Sequence, residues 1–227
     1  MSVALEMVAH WPPRCESLEQ CTERLHRYLR ELGELHPALR RWYEKGRSRK
    51  DALKKPVALD RDSLRRILDA GRNRGDFDGR VFEDLGFHRG LWNGGRAGSA
   101  VSLSLTCGRY WEEGSNRVHL GGEAFDHGMA PDTALGLVRA TVRAWSPEWM
   151  GICSRQAGSK LECGLEHPFV DWIFFHRRRR RAPLPSPSRV AFELDGGECV
   201  VVQEEPVAFD DPQQRARSEA VAKVLGL

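Results

Sequence analysis

Ser99-Ala-Val-Ser-Leu-Ser-Leu-Thr-Cys107 alternates apolar and small polar residues, with Val101, Leu103, Leu105 and Cys107 in step. Successive side chains of a strand point to opposite faces, so this period of two puts all four on one side. A helix would scatter the same four around its axis. The stretch reads as a strand buried on one face only, which is the mark of a largely antiparallel sheet. Outward from it, Arg109 to Asn116 reads as a loop and Arg117-Val-His-Leu120 as an antiparallel partner. Upstream, Leu85 to Gly95 sets aromatic residues among glycines and reads as an ordered loop or sheet edge.

The flanking segments mix helices with hairpins. Val3 to Trp11 is an opening strand stopped by Pro12-Pro13. Ser17-Leu-Glu-Gln20 fits a capping box. Leu18, Cys21, Leu25, Tyr28, Leu29 and Leu32 then form one helical stripe, which Gly33 is expected to end. Leu39, Trp42 and Tyr43 suggest a short second helix ending at Gly46, and Pro56 to Leu59 a short strand. Asp60 or Asp62 caps a helix carrying Leu64, Ile67 and Leu68. Pro131 opens a helix with Leu135, Val138, Val142 and Trp145, ended by Ser146-Pro147. Trp149 to Ser154 and Phe169 to Phe175 read as buried strands. Val190 to Leu194 and Glu198 to Gln203 flank a tight turn at Asp195-Gly196-Gly197. Asp211-Pro212 starts a last helix with Ala216, Ala220, Val221, Val224 and Leu225. The expectation is an α+β fold: a mixed, largely antiparallel sheet with helices packed on it, in a single domain over 1–227 with a flexible linker at 177–188.

Composition excludes several classes. With 227 residues, 41% of them hydrophobic, the chain can bury a core. No apolar run is long enough to span a bilayer, and Met1 to His10 has no basic n-region, so a cytoplasmic protein is expected. Its six cysteines form no Cys-x-x-Cys pair and are expected as reduced, mostly buried thiols. Cys163-x3-His167 is the nearest approach to a metal half-site and lacks a second half, so no metal or cofactor is expected. Basic and acidic residues nearly balance, 35 against 32; of the basic ones 29 are arginine, as a GC-rich coding sequence would produce.

No phosphate loop, dinucleotide fingerprint, nucleophile elbow or His-Glu-x-x-His pair occurs, nor the Glu-x-Lys of a magnesium-dependent nuclease. The carboxylates are scattered, so no acid–base pair stands out, and no enzymatic activity is expected. The sharpest charge feature is His176 followed by Arg177 to Arg181. It reads first as a solvated strand end beside the proline-rich Ala182 to Ser188. The alternative reading is a nucleic-acid-binding or regulatory module holding phosphates. Of seven tryptophans, Trp11, Trp42, Trp145 and Trp172 fall on core elements. Trp92 and Trp111 fall in loops, where tryptophan is a candidate binding anchor.

Several patches occur together in order. Trp11-Pro-Pro-Arg14 precedes Glu16-Ser17-Leu18; Leu39-Arg-Arg-Trp42 precedes Lys45-Gly46. Leu85-Gly-Phe87, Leu91-Trp-Asn-Gly94, Thr106-Cys-Gly108 and Asn116 follow. Ala144-Trp-Ser-Pro-Glu-Trp149 closes a helix, and Asp171-Trp-Ile-Phe-Phe175 and Ala208-Phe-Asp210 come later. In this order they resemble the immunity protein 52 family. The resemblance implies an α+β protein, encoded beside a polymorphic or type VI-secreted toxin that often carries a restriction-endonuclease-like domain. Such a protein binds the toxin in the producer's cytoplasm and has no catalytic residues to carry over. A nuclease toxin presents a basic cleft, which carboxylates can plug, and occlusion of the toxin away from its active site is equally open. The expected toxin-facing residues are Trp92, Trp111, Glu112, Glu113, Glu123 and Asp126.

Overall fold

The computed structural model describes residues 3–75, 77–125, 129–156, 168–178, 180, 182–208 and 210–227. The chain folds as two compact units, His10–Leu120 and the chain up to Ala9 together with Gly121–Leu227. Strand β1, Leu5–Trp11, contributes residues to both.

In the His10–Leu120 unit, helix α1 spans Leu18–Leu35 and starts with a complete capping box. Ser17 Oγ accepts from Gln20 N at 3.2 Å, and Gln20 Oε1 accepts from Ser17 N at 2.8 Å. The expected stripe is the buried face, joined by Thr22. Gly33 does not end the helix, because one interior glycine costs only about 1 kcal/mol. The stop falls at His36, extended at φ −151°, since the following Pro37 disfavours a helical conformation there.

The expected second helix around Leu39 to Gly46 is absent. Pro37–Leu39 makes one 3-10 turn, and Tyr43–Glu44 forms strand β2. Three apolar residues cannot carry an isolated helix this short, and pairing with a neighbouring strand takes the segment instead. Trp42 is buried, its indole donating to Leu39 O at 3.0 Å. Pro56 to Leu59 forms no strand; Pro56 makes an isolated bridge with Tyr43, having no N–H to extend a ladder. Within the basic segment Arg47 to Lys55 lies helix α2, Arg49–Ala52. Helix α3, Arg61–Asp69, is capped by Asp60 and buries Leu64, Ile67 and Leu68 as expected. It packs on α1, with Arg61–Glu23 and Arg65–Glu19 ion pairs at 2.8 and 3.2 Å on the rim.

Strands β3 (Phe87–Trp92), β4 (Ser102–Cys107) and β5 (Asn116–Gly121) complete the order β2-β3-β4-β5. The quoted stretch is β4, with Leu103, Leu105 and Cys107 buried. The segment read as a loop or edge contains β3, which pairs antiparallel with β2 on one side and β4 on the other. Its sequence hides this because its residues do not alternate in polarity. Asn93 closes the β3–β4 connection: its amide accepts from Gly95 N and Val101 N, both at 2.9 Å.

In the other unit the strand order is β1-β6-β7-β9-β8, with β6 Trp149–Ser154, β7 Ile173–His176, β8 Arg189–Leu194 and β9 Gly197–Val201. Strand β7 is shorter than the expected 169–175, because Asp171 accepts from Ser154 N through its side chain, at 2.7 Å. Asp195 and Gly196, at φ 52° and 77°, form the two-residue turn of the β8–β9 hairpin. Helix α4, Pro131–Trp145, ends at left-handed Ser146. Helix α5, Pro212–Leu225, buries Ser218, Val221 and Leu225, whereas Ala216 and Ala220 face outward. Its buried face lies one step round from the expected one, because Ser218 reaches back to the Asp171 and Gln214 carbonyls. The fold is α+β, and every described register is antiparallel.

Candidate protein-binding surface

The loop between β4 and β5 is held from below by backbone and buried amide groups. Asn116 is fully buried; its Oδ1 accepts from Arg109 N at 2.9 Å, and its Nδ2 donates to Arg109 O at 2.9 Å and Pro12 O at 3.0 Å. Arg14 N adds a bond to Arg109 O at 2.8 Å. From the side, Tyr110 N and Trp111 N both donate to Asp84 O, at 3.0 and 3.2 Å. Asp84 belongs to a 3-10 turn, Glu83–Leu85, entered from Phe82 and left through Gly86 at φ 60°. A side chain on Gly86 would strike Arg109 N and Gly108 C, so glycine permits the close approach of turn and loop.

With its backbone fixed, the loop turns its side chains out. Trp111 is 48% exposed, Tyr110 40% and Phe82 42%, and Phe77 is fully exposed nearby in sequence. These are four of the five large hydrophobic side chains exposed among the described residues. Glu83, Glu112 and Glu113 are exposed and Asp84 is half-buried. None of these four carboxylates forms an ion pair among the described residues, whereas Glu19, Glu23, Asp51, Asp69, Glu148, Asp195 and Glu198 all do. The Tyr110 hydroxyl is pushed above its ordinary pKa by desolvation, then by the charges of Cys15, Glu83 and Asp84. Beside it opens a cleft of about 470 Å³ lined by Glu16, Glu19, Arg65, Glu83 and Tyr110 among others. Glu16 is committed there to Arg14 and Arg24 at 3.0 and 2.6 Å.

Of the residues expected to face a toxin, the structure keeps Trp111, Glu112 and Glu113 together. Trp92 lies at the opposite end of β3 from Phe87, about 17 Å along the strand. There it meets Tyr43, with ring centroids 6.2 Å apart, and Arg49. Glu123 opens a 3-10 turn in the other unit, and Asp126 lies outside the described residues. Phe82, Glu83, Asp84 and Tyr110 were missed. A signal existed: Phe82-Glu-Asp84 and Trp111-Glu-Glu113 are the same aromatic–acid–acid pattern.

The basic run is largely spent within its own unit. Arg177 pairs with Asp195, Arg178 with Glu148 at 3.0 Å, and Arg180 with Glu198 at 3.2 Å. Arg179 and Arg181 lie outside the described residues, as do Cys163 and His167. Among the described residues no cluster of three or more His, Cys, Asp or Glu is placed to hold a metal ion, and no helix is long and apolar enough to cross a membrane.

The chain belongs to the immunity protein 52 family, Imm52, whose family model matches residues 6–226. Among solved structures it is similar to the Pseudomonas aeruginosa T6SS protein PA0821. The two are 16% identical with a TM-score of 0.59, over 99% of this chain and 72% of that one, which is a likeness of fold. No curated protein matches it. Family membership makes this an immunity protein of a bacterial toxin system, with a toxin as its implied partner.

Proposed function

We propose that the chain binds a cognate antibacterial toxin in the producer's cytoplasm and neutralises it by protein–protein association, with no chemistry of its own. The observation that carries this reading is the family match across residues 6–226. The two units then serve as one immunity domain, and the toxin is a nuclease of the restriction-endonuclease-like kind. An interface of standard size, roughly 1,600 Å² in total, would suffice for tight association. The aromatic loop with its unpaired carboxylates supports such a role, since Phe82, Tyr110 and Trp111 leave large apolar side chains exposed on two segments joined at the Asp84 carbonyl.

Co-expression with the product of the adjacent reading frame tests the proposal. That product should arrest growth alone and not in the presence of this chain; continued killing in its presence would sink the reading. Filter binding with duplex DNA covers the rival use of Arg177 to Arg181. Salt-sensitive affinity lost when those arginines are neutralised would favour the nucleic-acid module instead.

A further inference from the structure

We infer that the shelf formed by Phe82–Asp84 and Tyr110–Glu113 is the surface that receives the toxin, and that the surface it receives is basic. The assignment rests on the immunity reading above and names the place and the chemistry of the contact.

Two independent features converge on the shelf. The first is apolar. Phe82, Tyr110 and Trp111 are each 40% exposed or more, yet the backbone amides of Tyr110 and Trp111 are held by the Asp84 carbonyl, the preceding Arg109 by buried Asn116, and Phe82 N by Asn73 O at 3.0 Å. Rigid aromatics lose little conformational freedom on binding, which is why such residues anchor interfaces. The second is electrostatic. Glu83, Asp84, Glu112 and Glu113 form no ion pair among the described residues, unlike Glu19, Glu23, Asp51, Asp69 and Glu148. The nearest cation of the loop, Arg109, lies with its side chain across Gly114. Like charges left together repel one another, and a basic partner removes that cost on contact.

The two features select the same partner chemistry. Arginine and lysine stack on aromatic faces and pair with carboxylates, so a basic toxin surface satisfies both at once. A purely apolar partner would bury the carboxylates unpaired, and an acidic one would be repelled. A nuclease cleft that holds a phosphate backbone has the required sign.

The test uses the full-length chain and the purified polypeptide encoded by the adjacent reading frame, followed by association kinetics at low and high salt. Trp111→Ala is expected to weaken binding at least ~10-fold, mainly through faster dissociation. The pair Glu112→Lys with Glu113→Lys should slow association ~10-fold or more and flatten its dependence on salt. Trp111→Phe should restore most of the affinity. All three positions are on an exposed loop, so circular dichroism and the thermal midpoint should stay at wild-type values. If wild type binds and neutralises the polypeptide while both variants match it, the immunity function stands and the shelf assignment is overturned. It is overturned equally if Trp111→Ala breaks a dimer of this chain and leaves toxin binding intact. If wild type neither binds nor neutralises the polypeptide, the immunity reading falls and takes the shelf with it.

Discussion

Replacing Asn116 by alanine isolates the energetic cost of holding the loop beneath the shelf. The side chain is fully buried and makes three hydrogen bonds of 2.9–3.0 Å to main-chain groups of Arg109 and Pro12. Alanine fills none of them. The Arg109 N–H is left without its acceptor in a dry site, at about 1–3 kcal/mol, and Pro12 O loses its amide donor at about 1 kcal/mol. Arg109 O keeps Arg14 N at 2.8 Å, so its loss is small. The sum is about 3 kcal/mol. In urea unfolding followed by tryptophan fluorescence, a slope of about 2 kcal/mol/M converts this to a midpoint about 1.5 M lower with the slope unchanged. Amide exchange at Arg109, Tyr110 and Trp111 should accelerate in the same variant, because the loop loses its lower anchor. Asn116→Asp keeps the acceptor for Arg109 N, loses both donors and buries a charge, so at neutral pH it should cost at least as much. A loss below about 1 kcal/mol for Asn116→Ala would refute the idea that buried amide bonds, rather than the Asp84 carbonyl, hold the loop.

Further outcomes follow from other buried groups. Burial pushes the Asp171 carboxyl up to about 6, although Ser154 N–H donates to it. Folding therefore favours its neutral form: this group's contribution is most favourable below about pH 4, and up to about 3 kcal/mol is lost as pH rises through about 6. Asp171→Asn should flatten the stability profile between those pH values, and parallel profiles for the two proteins would count against the assignment. Gly86→Ala puts a side chain at positive φ against Arg109 N and Gly108 C, and should cost roughly 2–4 kcal/mol in the same urea assay. A neutral result there would mean that turn and loop are not in close contact. Arg178→Gln breaks an exposed pair and should change stability by less than about 1 kcal/mol, whereas Arg180→Gln leaves the mostly buried Glu198 carboxylate without its cation and should cost more. Neither should alter toxin binding, and a strong loss of binding in either would move the interface away from the shelf.

Much of the framework was legible because local rules decided it. The capping box of Ser17 and Gln20, the stripe from Leu18 to Leu32, the alternation from Val101 to Cys107 and the Asp195-Gly196 turn each act within a few residues. Trp11, Trp42, Trp145 and Trp172 were placed in the core, where the structure buries all four. The two missed strands share one cause. Strands β2 and β3 have no alternation of their own; β3 exists because β4 supplies an edge to pair with, and β2 because β3 supplies the next. Helix α1 ends where Pro37 acts on His36 rather than at the glycine that propensity favoured.

The candidate site divides the same way. Trp111, Glu112 and Glu113 are contiguous, so reading one finds the others. Their companions Phe82, Glu83 and Asp84 lie more than twenty residues upstream and join them through two amide bonds to one carbonyl and the close approach of Gly86 to the loop. Composition, periodicity and capping determined the α+β class, because each is set by interactions between near neighbours in the chain. Which loop residues share a surface was decided by tertiary structure, because hydrogen bonds between distant main-chain groups leave no trace in the identity of the side chains they bring together.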